Sequence, residues 1–295
     1  MSEVVWTIAD VVKSSVEFLT KKGISHSRLD VELMLAKCLG KKRIDLYLEY
    51  DRPLTVAERS DFKAFLFRRG NHEPAAYILE EAGFMGLMYK VSRDTLIPRP
   101  DTELLVEETL KLLPGSKACR ILDVGAGTGC VGISLLKLRS DLRVETWDIS
   151  DRAMAIAKWN GESLGVGDRY TLKLKSALEE SSYVDKAEES FEGKFDGIVS
   201  NPPYITPKEY QNLDATVKDY EPKLALIAEQ DGLEFYNALA RHAPKIISPQ
   251  GFMALEVGWT QAQDVARILK ENGFKDIKIF KDLGSRERVV AAQLA

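Results

Sequence analysis

The chain has 295 residues, 41 Lys+Arg against 45 Asp+Glu (net charge −4), and 45% hydrophobic residues. This composition excludes a collagen-like or coiled-coil rod and wholesale disorder, and the length suggests two domains. The mild acidity argues against a general nucleic-acid binder, whose affinity rests on neutralising phosphates.

Three cysteines (Cys38, Cys119, Cys130) and three histidines (His26, His72, His242) are scattered, without disulfide-framework or metal-ligand spacing. A reducing, cytoplasmic setting with no metal site is expected. The opening MSEVVWTIAD lacks the basic start of a signal or transit peptide. The uncharged stretch over 124–136 is too short and too glycine-rich to span a membrane.

The first 80 residues read as helical. Thr7 with Asp10, Ser27 with Asp30 and Thr55 with Glu58 each set a capping hydroxyl three residues before an acid. Ile8, Val11, Val12, Ser15, Phe18 and Leu19 make a stripe at near-helical spacing. Gly23, Gly40 and Gly70 fall where the helices should stop. Residues 1–85 carry 13 basic and 13 acidic side chains. A neutral helical bundle of this kind suits protein docking better than nucleic-acid reading.

Residues 84–97 read as a hairpin around a Ser92-Arg93-Asp94 turn, linking (over 81–98) to a larger domain over 99–295. There the pattern predicts helix 101–113, strand 120–124, helix 129–139, strand 143–148, helix 151–164 and strands 170–175 and 195–200. Helix 231–247, strand 251–257, helix 261–272 and strands near 275–281 and 287–294 follow. Such alternation predicts an open, mainly parallel α/β sheet with an antiparallel edge. The stretch 179–194, with six acids and two lysines, reads as a solvated loop.

Two motifs carry chemistry. Residues 121–129, ILDVGAGTG, run an apolar strand into Gly125, Ala126, Gly127, Thr128 and Gly129 just before a helix. Glycines there let the backbone turn sharply and let a ligand approach main-chain atoms, at the carboxyl end of a strand. The third glycine of a dinucleotide fingerprint would fall on Cys130, and the turn has no P-loop lysine. The G-x-G-x-G spacing instead resembles the S-adenosylmethionine (SAM) loop of class I methyltransferases. Asp148 ends the next strand, where an acid accepts hydrogen bonds from ribose hydroxyls; Ile149 follows it.

In FDGIVSNPPYI a second strand delivers Asn201-Pro202-Pro203-Tyr204 to the same sheet edge. Two prolines fix φ and restrict the residues before them. The Asn201 amide oxygen and the Pro202 carbonyl are two acceptors suited to a planar –NH2 group. Tyr204 offers a flat face for stacking. The motif resembles that of methyltransferases acting on adenine or cytosine amines or on the glutamine amide.

The segment Leu96-Ile97-Pro98-Arg99-Pro100-Asp101-Thr102-Glu103 closely resembles the PrmC/HemK family of protein-(glutamine-N5) methyltransferases. Glu221-Pro222, Asp231-Gly232-Leu233, Glu256-Val257-Gly258 with Gln261, and Arg288-Val289-Val290 follow in the family's order, so the resemblance covers nearly the whole chain. It implies a class I SAM-dependent methyltransferase fold, Rossmann-like with a seven-stranded sheet, and a helical substrate-docking domain over 1–80. It implies SAM bound by Gly125, Ala126, Gly127, Thr128, Gly129, Asp148, Ile149, Leu178 and Asn201. The substrate glutamine, from the Gly-Gly-Gln motif of a class I release factor, would be held by Asn201, Pro202, Pro203 and Tyr204. Asn201, Pro202 and Tyr204 would carry the catalysis, with no dedicated general base.

The chain departs from the family pattern at Ala177, where an acid near the adenine is usual. It departs again at Ile227–Gln230, in place of a glycine-rich turn, and at Ser285, in place of a glycine. Arg99 stands either near the cofactor or in an ion pair with Asp101 or Glu103. A monomer without direct nucleic-acid or membrane binding is expected. The alternatives are glutamine methylation of a ribosomal protein, nucleic-acid adenine N6-methylation, and a binding module that kept a SAM fold.

Overall fold

The computed structural model describes residues 5–115, 117–184 and 194–295; most of the acid-rich stretch and the first four residues lie outside them. The chain divides into two compact units, Met1–Glu81 with Asp214–Tyr220, and Ala82–Leu213 with Glu221–Ala295.

The first unit holds α1 (Ile8–Lys21), α2 (Ser27–Leu39), α3 (Arg43–Leu48), α4 (Val56–Gly70) and α5 (Ala75–Leu79). Thr7 and Thr55 close capping boxes with Asp10 and Glu58, as their spacing predicts. Ser27 does not cap: its hydroxyl donates to the Ile24 carbonyl at 2.6 Å, and Asp30 instead meets Arg69 from α4 at 2.6 Å. Gly40 ends α2 in the left-handed conformation. Gly70 remains helical and serves packing, because a Cβ there would stand 2.9 Å from the Phe18 ring. Ile8, Leu19, Val31, Met34, Leu35 and Leu46 are buried in this unit's own core. Each such side chain contributes about 1.5–3 kcal/mol of burial.

The second unit begins with a hairpin, β1 (Glu81–Phe84) and β2 (Leu87–Lys90). Its turn is Met85-Gly86, with φ 50° and 72°, and not the expected Ser92-Arg93-Asp94. Positive φ at both central residues matches the twist of paired strands. Ser92–Asp94 form a separate turn beyond the strand, closed by the Ser92 hydroxyl accepting from the Asp94 N–H at 3.2 Å.

The main sheet follows the expected alternation. A 3-10 turn (Pro100–Thr102) leads into α6 (Glu103–Leu112), β3 (Cys119–Val124), α7 (Cys130–Leu138), β4 (Leu142–Asp148), α8 (Asp151–Ser163), β5 (Tyr170–Leu174) and β6 (Phe195–Ser200). After α9 (Pro207–Gln211) and α10 (Ala215–Lys218) come α11 (Glu234–His242), β7 (Ile247–Glu256), α12 (Ala262–Glu271), β8 (Phe274–Lys281) and β9 (Glu287–Leu294). The strand order is β5-β4-β3-β6-β7-β9-β8. The first five strands are mutually parallel, and β9 runs antiparallel between β7 and β8.

Three details differ from the expectation. The helix over 231–247 breaks into two 3-10 turns flanking α11, with Asp231 at φ 56° and Pro244 in the second turn. Strand β7 starts at Ile247, four residues early, and its register against β6 shifts between Phe195 and Gly197. Within 179–184, Tyr183 is buried against Trp147 rather than solvated, their rings 5.3 Å apart edge to face.

The order reverses beside β3, where β4 lies on one side and β6 on the other. In open α/β sheets, ligands bind outside the strand ends at such a point. Both motifs lie there, at the ends of β3 and β6.

Candidate active site

A cavity of about 370 Å³ opens at these strand ends, within the ordinary range for ligand sites. Its wall includes Gly125, Ala126, Gly127, Thr128, Asp148, Ile149, Leu178, Asn201, Pro202 and Pro203. The sequence-predicted residues therefore converge, with two exceptions. Gly129 and Tyr204 do not border the cavity.

Gly125, Gly127 and Gly129 have φ of 80°, 52° and 79°, conformations that a side chain disfavours. Gly129 also packs closely, since a Cβ there would stand 2.7 Å from the Tyr170 hydroxyl and 2.8 Å from Ile133 Cδ1. Two acids hold the turn. Asp123 Oδ2 accepts from the Gly132 N–H at 3.0 Å, inside α7. Burial pushes the Asp123 carboxyl up to about 7; the Gly132 hydrogen bond opposes this and the Asp148 charge adds to it. Asp148 accepts from the Gly127 N–H through Oδ2 and from the Ser150 N–H through Oδ1, both at 2.9 Å. An ionised carboxylate offers about four lone-pair sites, so each oxygen keeps one for a ligand hydroxyl.

Further wall residues lack such a motif: Thr95, Pro98, Trp147, Lys175 and Phe235. Ala177 is buried, and its carbonyl accepts from the Tyr183 hydroxyl at 2.8 Å, so Leu178 and Ile149 supply the half-exposed apolar surface at this end. Asn160, fully buried on α8, ties the hairpin to the glycine turn. Its Nδ2 donates to the carbonyls of Lys90 and Thr128 at 3.0 and 2.9 Å, and its Oδ1 accepts from the Lys90 N–H at 2.8 Å.

The second motif lies beside the first. A Cβ on Gly125 would stand 3.7 Å from the Asn201 carbonyl oxygen. Asn201 Nδ2 donates to the Thr102 hydroxyl at 3.1 Å, which turns Oδ1 away as a free acceptor. Ser200 Oγ donates to the Val124 carbonyl at 2.7 Å and links the two strand ends. Gln261 Nε2 donates to the Tyr204 carbonyl at 3.1 Å, and Gln261 Oε1 accepts from the Gly258 N–H at 3.1 Å. Gly232 must be glycine here, because a Cβ would fall 2.4 Å from that same Tyr204 carbonyl. The Tyr204 ring packs against the core around β7 rather than along the cavity. Burial pushes its phenol up to about 12, with the Glu256 charge adding to the effect.

Arg99 lies on the cavity wall, in line with one expectation, and its ion pair is with Glu221 rather than with Asp101 or Glu103. The Glu221 carboxylate also accepts from the Ile97 N–H at 3.3 Å. Asp101 pairs with Arg288 at 3.1 Å, and Glu103 accepts from the Met85 N–H at 2.6 Å. Glu256, 2% exposed, ends β7 beneath this segment. Burial pushes its carboxyl up to about 7; a hydrogen bond from Thr102 and the Arg288 and Arg99 charges oppose the shift.

A parallel sheet with a reversed antiparallel strand pair, a glycine turn at the switch point and an acid on the next strand define a class I methyltransferase fold. Comparison with known proteins agrees. Residues 10–79 match the PrmC N-terminal domain, and residues 100–219 match the methyltransferase small domain. A release factor glutamine methyltransferase from Geobacter sulfurreducens is 36% identical over 290 residues, covering 98% of both chains. One from Chlorobaculum tepidum is 36% identical over 291 residues, covering 97% of both. A solved protein-(glutamine-N5) methyltransferase from Alicyclobacillus acidocaldarius is 30% identical, with a TM-score of 0.40 over 70% of this chain and 99% of that one. The chain belongs to the release factor glutamine methyltransferase family.

Proposed function

We propose that this protein transfers the methyl group of SAM to the side-chain amide nitrogen of the glutamine in the Gly-Gly-Gln motif of class I release factors. The observation that carries the reading is end-to-end similarity to release factor glutamine methyltransferases, with 98% of both chains covered. The chemistry of the cavity supports it. Asp148 keeps lone pairs for vicinal hydroxyls, the glycines at positive φ leave room for a ligand to approach the backbone, and Ile149 and Leu178 offer apolar surface to a nucleobase. These features fit a nucleoside cofactor.

When bound, SAM supplies an electrophilic methyl group on a sulfonium. The remaining work falls to the protein. An amide nitrogen is a poor nucleophile because its lone pair is delocalised into the carbonyl. Asn201 Oδ1 and the Pro202 carbonyl would accept its two N–H bonds and hold the nitrogen toward the methyl group. Such orientation lowers a barrier by up to roughly 7–11 kcal/mol. The side-chain hydrogen bond of Asn201 goes to the Thr102 hydroxyl, which is not a base. The proton leaves late, to water. The first unit docks on the release factor away from the short Gly-Gly-Gln segment, and the protein acts as a cytoplasmic monomer.

The test is methyl transfer from labelled SAM to purified class I release factor, beside a ribosomal-protein fraction and DNA. Label on the release factor that disappears in its Gln→Ala variant is the expected result. Label on ribosomal protein or DNA instead would overturn the substrate assignment.

A further inference from the structure

An asparagine side chain can face a substrate in two ways, with its oxygen or its nitrogen outward. Only the oxygen accepts a substrate N–H, so the reaction proposed above needs one orientation and is blocked by the other. Nothing within Asn201 chooses between them. Thr102 alone does not choose either, because a hydroxyl can accept from Nδ2 or donate to Oδ1.

Glu256 breaks the tie. Its carboxylate is 2% exposed, and Oε2 has no hydrogen-bond partner. Its side chain interacts with the Thr102 hydroxyl, which also accepts from Asn201 Nδ2 at 3.1 Å. In its ionised form, which the Thr102 hydrogen bond and the Arg288 and Arg99 charges favour, this carboxylate only accepts. It therefore takes the single Thr102 proton and leaves the threonine oxygen with lone pairs alone to offer Asn201. The amide must then present Nδ2 inward and Oδ1 to the cavity. The three residues come from the turn before α6, the end of β6 and the end of β7, and Thr102 is itself 2% exposed. Both Thr102 and Glu256 are shielded from bulk solvent.

We propose that Thr102 and Glu256 are positioning residues that set the polarity of the Asn201 amide, and that Glu256 acts only through Thr102. The inference rests on the reading of Asn201 as the acceptor for the substrate amide.

Thr102→Val keeps the shape and removes the hydroxyl, whereas Thr102→Ser keeps the hydroxyl. Single-turnover methylation of release factor by Thr102→Val is expected to slow by about 10- to 100-fold, the scale of a misplaced reacting group. SAM affinity, measured by calorimetry, is expected to stay within about threefold of wild type, and Thr102→Ser to recover most of the rate. Glu256→Gln is expected to slow the reaction and to add little to Thr102→Val in the double variant.

Equal rates for Thr102→Val and wild type would overturn the proposal. So would a serine variant as slow as the valine one, or full additivity with Glu256→Gln. A second measurement is independent of the substrate. The Asn201 side-chain amide, followed by NMR hydrogen exchange, should be protected in wild type and Thr102→Ser and exposed in Thr102→Val. If wild type methylates no release factor while this protection pattern holds, the substrate reading fails and the positioning role stands. If the amide exchanges equally in all three, the positioning role fails.

Discussion

Replacing Asp148 with asparagine exchanges one oxygen for an NH2 group, and the local geometry makes that costly in either orientation. Both carboxylate oxygens already accept a backbone N–H, one from Gly127 and one from Ser150, each at 2.9 Å. However the amide is turned, Nδ2 faces one of these donors. If it faces Gly127, the glycine turn is pushed out of place; if it faces Ser150, the N-terminus of α8 loses its anchor. Losing one hydrogen bond to a charged group costs about 1.5–3 kcal/mol. The variant also keeps fewer lone pairs for the ribose. The dissociation constant for SAM should therefore rise by about 10- to 150-fold, at roughly 1.4 kcal/mol per tenfold. Isothermal titration with SAM, and with its demethylated product, reads this directly; a thermal melt checks that the variant is folded. Asp148→Asn binding within about threefold of wild type, in a folded protein, would refute the role given to this carboxylate.

Three further outcomes follow from the packing. Gly197→Ala would set a Cβ 2.3 Å from the Phe252 ring between β6 and β7. It should lose about 1–3 kcal/mol in denaturant unfolding, and Phe252→Leu should restore part of that. Asp123 is held protonated by burial, with its carboxyl near 7 against an unfolded value of 3.8. The folded state thus binds more protons than the unfolded one across that window, and the contribution declines as pH rises through it. Wild-type stability relative to Asp123→Asn should fall by roughly 1–3 kcal/mol between about pH 5 and pH 7.5; a pH-independent difference would contradict this. In the first unit, Arg69→Met leaves Asp30 buried without its partner at 2.6 Å. Unfolding should show a loss of about 3–5 kcal/mol, largely recovered by adding Asp30→Leu.

Residues that act through their own backbone were the legible ones. The strand Phe195–Ser200 ends where its apolar run meets the proline pair, and Gly125 and Gly127 take the positive φ their spacing implied. Two positions that depart from the family's glycines show a feature the sequence did not announce. Gln230 and Ser285 adopt φ of 53° and 63°, in the left-handed region that favours glycine, although neither is glycine. What escaped were partnerships across long separations. Ser27-x-x-Asp30 has the pattern of a cap, but Asp30 finds a stronger partner 39 residues away in Arg69. Arg99 has acids at 101 and 103 and pairs instead with Glu221. Thr102, Asn201 and Glu256 lie on three separate segments, the first two 99 positions apart in sequence, and meet only when those segments fold. The misplaced hairpin turn has another cause. Ser-Arg-Asp is a good turn sequence and does turn, but of these two turns it is Met85-Gly86 that has positive φ at both central positions.

The first compact unit is not a contiguous stretch of chain. Asp214–Tyr220 belongs to it, and the Tyr220 hydroxyl donates to the Asn71 carbonyl at 2.6 Å. A truncation starting after Glu81 therefore does more than remove the helices of the first unit. It strips a seven-residue insert of the surface that shapes it, and the insert leaves the second unit after Leu213 and re-enters at Glu221, the residue that grips Arg99 and the Ile97 N–H. If the first unit docks the substrate as proposed, a shortened enzyme would combine lost recognition with a loosened cavity wall. The two defects separate only if the helices are kept and their exposed side chains, such as Leu48 and Phe67, are changed one at a time.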